Sequence, residues 1–165
     1  MKSKRKLMNA SNVIVGLWVM AMFTIFPLIY NDFYFDILQT KYYTVLTLSI
    51  IMILALIVIC GFAGGFKNFF DNLNKKGFAV WFKEEFSIWD ICILVFWLMT
   101  ALSTAFAGRF VMESITGDKG RYSGLLLISI YVIIYFTVSR MFSFSKVYFT
   151  VFLAVSIPVC LFGYT

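Results

Sequence analysis

From Tyr43 to Phe62 the chain runs for 20 residues without a charge, a near-continuous series of leucine, isoleucine and valine closed by Gly61, Gly64 and Gly65. No face of such a segment can meet water. As a helix it matches the hydrocarbon core of a bilayer, where a segment must satisfy its own backbone. The pattern recurs along the chain. Val13–Tyr30 is 18 uncharged residues, about 27 Å of helix, with Pro27 near its far end, where a missing donor is best tolerated. Ile91–Ala107 follows, with Trp89 and Asp90 at its entry, and then Gly124–Ser139, bracketed by Arg121 and Arg140. A last block starts near Val147, carries Pro158 and reaches Thr165. The sequence therefore predicts an all-α integral membrane protein with about five transmembrane helices. The expected spans cover approximately 13–30, 43–62, 89–107, 122–139 and 147–165, within a single membrane domain, 1–165.

Composition excludes the alternatives. Apolar residues make up 62% and charged residues 13% of the chain, against roughly 45–50% and 25% in soluble domains. The formal charge of +6 would suit nucleic acid only if it lay along one face. Here the cations cluster between apolar blocks, where headgroups and topology place them, so nucleic acid is not an expected partner and membrane lipids are. There is no histidine, and Cys60, Cys92 and Cys160 all lie inside apolar blocks as small hydrophobes. With no CxxC spacing either, no metal or cofactor is expected.

Orientation follows from alternate loops. The amino terminus, the 63–90 connection and the Arg140–Lys146 turn hold ten Lys and Arg, against four on the other side: Lys41, Arg109, Lys119 and Arg121. Acidic residues divide evenly, so the cations set the bias and the amino terminus is expected in the cytoplasm. The start, Lys2, Lys4, Arg5 and Lys6 before an apolar run, also resembles a signal peptide. The run is too long for that and lacks an A-x-A site, so it reads as a retained span. In the 63–90 connection, Phe66, Phe69, Phe70 and Leu73 recur at helical spacing. Two readings fit: a cytoplasmic interfacial helix over 66–76, or a second span that runs on past the bilayer.

Chemistry points to the connection between the third and fourth spans, residues 108–124. Arg109, Lys119 and Arg121 face a membrane surface there, and Gly117, Gly120 and Gly124 permit tight turns. A guanidinium fork suits a phosphate, and a lipid-linked diphosphate would lie at this depth. The plainer reading is that these cations anchor span ends in headgroups or pair with Glu113 or Asp118.

The same stretch resembles a known family. Ala101-Leu-Ser-Thr-Ala-Phe106 closes one span, Glu113 lies in a short polar loop, and Gly120-Arg-Tyr-Ser-Gly-Leu-Leu126 opens the next. An aromatic helix with Tyr131, Tyr135 and Phe136 then ends in Ser139-Arg140. This resembles the N-terminal part of the O-antigen ligase and O-antigen polymerase superfamily, best over about residues 88–165. The resemblance implies a bacterial cytoplasmic-membrane protein of a glycosyltransferase-C-like polytopic fold. Its members transfer a glycan from an undecaprenyl diphosphate carrier to an acceptor on the outer face, without a metal. On that basis Arg121, Arg109 and Lys119 are expected to contact the lipid diphosphate.

The departure is equally specific. The family's arginines and histidine come from a large outer loop late in the chain, and this chain has neither histidine nor such a loop, so no catalytic residue carries over. The last apolar block also reaches Thr165 without a polar stop, so the expectation is a fragment or one part of a split chain, inactive alone. Two rivals remain. One is a non-enzymatic polytopic protein, a transporter subunit or a partner in polysaccharide export; span interiors free of charge argue against an ion relay but not against lipid handling. The other is an enzyme completed by oligomerisation, with Arg109, Glu113, Asp118, Lys119 and Arg121 as its only candidate groups.

Overall fold

The computed structural model describes residues 2–29, 37–62, 71, 74, 77–118 and 122–164. Among these every regular element is helical: α1 (Lys2–Leu28), α2 (Ile37–Phe62), α3 (Phe78–Glu85), α4 (Ile88–Ala105), a 3-10 turn (Gly108–Phe110), α5 (Val111–Thr116), α6 (Leu125–Met141) and α7 (Lys146–Tyr164). Among the described residues three helices are long and apolar enough to cross a membrane: Met8–Leu28 within α1, Ile37–Phe62 and Ile88–Ala105. Leu125–Met141 and Lys146–Leu161 are shorter apolar helices. The outer surface is itself apolar, with Phe62, Trp89 and Phe106 each at least 74% exposed, as hydrocarbon solvent requires and water forbids.

Contacts fix the helix directions. Lys41 Nζ lies 5.3 Å from the Phe26 ring, and Val15 and Val19 pack with Met52 and Leu56, so α1 and α2 are antiparallel. Tyr148 meets Gly16 and Phe152 meets Phe23 edge-on at 5.2 Å, so α1 and α7 are parallel. Asp90 bonds Tyr135 and Trp97 bonds Ser129, which makes α4 and α6 antiparallel. The core is small because lipid, unlike water, does not drive helices together; close packing and interhelical hydrogen bonds carry the association. Val15, Val19, Met52 and Leu56 form its centre, flanked by Ile134 and Val138 from α6.

These contacts sort the connections into two ends. At the amino-terminal end, Asn12 Oδ1 accepts from the Ser143 amide at 2.8 Å, and Arg140 reaches Glu85 and Asp90. At the opposite end, Tyr42 at the start of α2 stacks on Tyr122 of the 106–124 connection.

Helix bounds depart from the apolar blocks for local reasons. α1 begins at Lys2 rather than near residue 13, because nothing between Lys2 and Asn12 breaks a helix and hydropathy marks only the solvent boundary. α2 begins at Ile37, six residues before the uncharged block. α4 stops at Ala105, where the amides of Phe106 and Ala107 turn to the carbonyls of Leu102 and Thr104. α6 starts at Leu125 rather than at 122, since Tyr122 has φ 48° and Gly124 is extended. The expected interfacial helix over 66–76 lies outside the described residues, apart from Asp71 and Asn74. The short helix described in that connection is α3, which follows Gly77 at φ 75°.

Candidate functional site

The loop end is built by three glycines. α4 gives way to Gly108, at φ 61°, then to the 3-10 turn and α5. Gly117, at φ 86° and ψ 151°, ends α5 in a conformation that only glycine adopts readily. A Cβ there would lie 2.6 Å from Ser123 N, and one on Gly124 would strike the Ile115 carbonyl and the Gly117 amide. The chain therefore closes backbone to backbone, residues 115–117 against 122–124, and the Tyr122 amide donates to the Asp118 carbonyl at 3.1 Å. Tyr122 then stacks on Tyr42 with centroids 5.1 Å apart and planes 24° from parallel, docking this end of the connection onto α2.

Of the cations expected here, Arg109 lies in the 3-10 turn, exposed and without an ion pair among the described residues. Lys119 and Arg121 lie outside the described residues, between Asp118 and Tyr122. Glu113 and Asp118 are both exposed. Lys41, counted in the sequence only for orientation, sits at this same end over Phe26.

The amino-terminal end carries a polar constellation that sequence reasoning missed. Ser87 caps α4, and its amide donates to Asp90 Oδ2 at 3.0 Å. Asp90 Oδ1 accepts from the Tyr135 hydroxyl at 2.8 Å, and Arg140 Nη2 lies 3.8 Å from Oδ2. The Arg140 guanidinium also donates to the Glu85 carbonyl at 3.3 Å and sits over the rings of Phe86 (4.6 Å) and Phe136 (5.1 Å). Both oxygens of this carboxylate, 8% exposed, are engaged: Oδ1 by Tyr135 and Oδ2 by Ser87 and Arg140. The cluster staples the α3–α4 corner to α6. Its one legible signal was Ser87-x-x-Asp90 immediately before an apolar run, a helix-start pattern. Arg140 is thus a clamp at this corner as well as a span-end cation.

Among the described residues no three Cys, Asp or Glu side chains are grouped to hold a metal ion, and the three cysteines are unpaired, with Cys92 and Cys160 on the outer surface. Fold and site together define an all-helical, membrane-embedded protein with a satisfied polar staple at one end and a docked, glycine-closed connection at the other. No family model, curated protein or solved structure matches the chain.

Proposed function

We propose that this chain is a five-span module of the bacterial cytoplasmic membrane, with a cytoplasmic amino terminus, that holds an undecaprenyl-diphosphate-linked glycan at its outer face. In this reading it forms the N-terminal membrane portion of an O-antigen ligase-like glycan transferase with a glycosyltransferase-C-like polytopic fold. The observation that carries it is the docking of the 106–124 connection: residues 122–126, the described part of the Gly120–Leu126 element that resembles the family, open α6 and are pinned to α2 through Tyr122 and Tyr42. Five spans are supported by the segregation of connections to two ends, and orientation by the excess of cations at the amino-terminal end. Arg121, Arg109 and Lys119 would hold the diphosphate. In the family that the chain resembles a histidine comes from a late outer loop; this chain has no histidine, so in this reading the base that activates the acceptor hydroxyl would come from another polypeptide segment.

Two measurements test this. In a cysteine-free background, single cysteines at Lys83 and Asp118 should react with an impermeant thiol reagent from opposite sides of the membrane. In nanodiscs, the protein should retain undecaprenyl diphosphate, and Arg121→Ala should weaken retention by about tenfold. Labelling from one side, or a wild type that binds no carrier, refutes the proposal.

One observation favours a second reading, a non-enzymatic partner in polysaccharide export. The best-formed polar cluster is spent on holding helices together and lies at the end away from the 106–124 connection. Co-purification with a complete transferase, together with unaltered carrier retention in Arg121→Ala, would favour that partner.

A further inference from the structure

The helix pairs differ in apolar length. After its last charge, Lys6, α1 holds 22 uncharged residues (7–28), and after Lys41 α2 holds 21 (42–62). At 1.5 Å per residue these runs measure about 33 and 32 Å, enough for a hydrocarbon core of about 30 Å. α4 and α6 fall short of it. Between Asp90 and its end α4 holds 15 residues (91–105), and before Arg140 α6 also holds 15 (125–139), about 22 Å each. Neither run can be lengthened by what flanks it. α4 stops at Ala105, and Gly108, at φ 61°, turns the chain into the segment that carries the exposed Arg109 and Glu113. Residues 115–117 close on 122–124 immediately before Leu125. At the other end Arg140 stands in the last turn of α6, so its side chain leans back along the helix, toward the hydrocarbon. The Glu85 carbonyl at 3.3 Å and the rings of Phe86 and Phe136 hold the guanidinium there, which prevents it from snorkelling outward.

The short pair is also the pair that meets lipid. α4 packs chiefly on α6 and α5 and turns Val95, Phe96, Leu98, Met99 and Leu102 outward. A span shorter than the core is accommodated by snorkelling, by oligomerising or by thinning the bilayer, whereas tilting serves only a span that is too long. Snorkelling is foreclosed at Arg140. A second copy laid on α4 would bring the same short runs with it and leave the same shortfall toward lipid. We propose that the α4–α6 side is an interaction surface for short-chain phospholipid, beside which the bilayer is about 8 Å thinner than beside α1 and α2. This rests on the five-span reading, in which α6 crosses the membrane, and does not depend on any carrier lipid.

The test places the full chain, in a cysteine-free background, in bilayers that mix dimyristoleoyl and dierucoyl phosphatidylcholine. One fluorophore is attached at Phe96→Cys on α4 or at Leu54→Cys on α2, both outward-facing positions near the middle of their runs. A nitroxide quencher is carried on the short-chain or on the long-chain lipid. Beside position 96 the short-chain quencher should be enriched about threefold over the long-chain one, and beside position 54 the two should act alike. In the same bilayers, single cysteines at Asp118 and Ser145 should react with an impermeant thiol reagent from opposite sides. If both react from one side, the five-span reading fails and the thinning with it. If they react from opposite sides while short-chain lipid is no richer at position 96 than at position 54, the thinning is overturned and the five-span reading stands. Loss of quenching by both lipids at position 96, growing with protein density, would put a second copy on α4 and overturn the lipid assignment.

Discussion

Gly16 offers the sharpest test of the packing, because one side chain opposes it. Gly16 is buried in α1, and a Cβ built there would land on the Tyr148 hydroxyl and 3.1 Å from Tyr148 Cζ. Glycine to alanine within a helix is worth about 0.5–1 kcal/mol in favour of alanine. Forcing an extra carbon into a packed contact costs about 1–3 kcal/mol. Gly16→Ala should therefore destabilise by about 0–2.5 kcal/mol, the larger values applying if Tyr148 cannot swing aside. Tyr148→Phe removes the opposing oxygen, and that hydroxyl makes no hydrogen bond among the described residues, so the change alone should cost little. In the Tyr148→Phe background only the ring carbon opposes the methyl, and a shift of roughly a few tenths of an ångström relieves it. Gly16→Ala should there become neutral or stabilising, giving a coupling of about 1–3 kcal/mol in a double-mutant cycle. The clash is steric, so it survives the change of solvent from water to lipid. Reversible unfolding in mixed micelles measures all four proteins. Equal effects of Gly16→Ala in both backgrounds would refute the parallel packing of α7 on α1.

Further expectations concern the other contacts. Trp97→Phe removes the 2.9 Å bond from Trp97 Nε1 to Ser129 Oγ and should cost about 0.6 kcal/mol, and no more than about 1.7, in the same unfolding assay; Ser129→Ala should not add to it. Arg140→Lys keeps the charge but loses the planar group over Phe86 and Phe136, so a single cysteine at Phe82 should be labelled faster than in the parent; an unchanged rate would leave the clamp without effect. Gly117→Val combines a backbone cost of about 1–3 kcal/mol with a collision against residues 122 and 123, and should open the loop to trypsin at Arg109. Wild-type resistance at Arg109 in that variant would contradict the backbone closure.

Helix identity was legible because uncharged runs report solvent directly, and Tyr43–Phe62 allows no other reading. Helix bounds were less so. The extension of α1 back to Lys2 obeys hydrogen bonding rather than hydropathy, and the late start of α6 depends on the positive φ of Tyr122, a residue with no sequence mark for that conformation. At the loop end the glycines were legible as turn formers, but their purpose, the approach of residues 115–117 to 122–124, depends on contacts no spacing encodes. The Tyr42–Tyr122 stack joins residues 80 positions apart and had no local signal at all. Asp90 and Arg140 were visible only as span-end charges. Tertiary folding turns them into one staple across 50 residues.

The staple also bears on where chemistry belongs. With the Arg140 side chain 34% exposed and 3.8 Å from Asp90, Coulomb attraction is partly screened, so the directional contacts, Tyr135 to Asp90 and Arg140 to the Glu85 carbonyl, do more to hold the corner. The contacts of Asp90 and Arg140 are thus directed at neighbouring helices. At the opposite end the connection is held by backbone closure and ring stacking, which leave Arg109 uncommitted. Rigidity thus comes from glycines and aromatics around the exposed Arg109, and from charges at the amino-terminal corner. That division of labour is what a lipid-phosphate site on the 106–124 side would need: a fixed frame whose charged groups are not part of the frame.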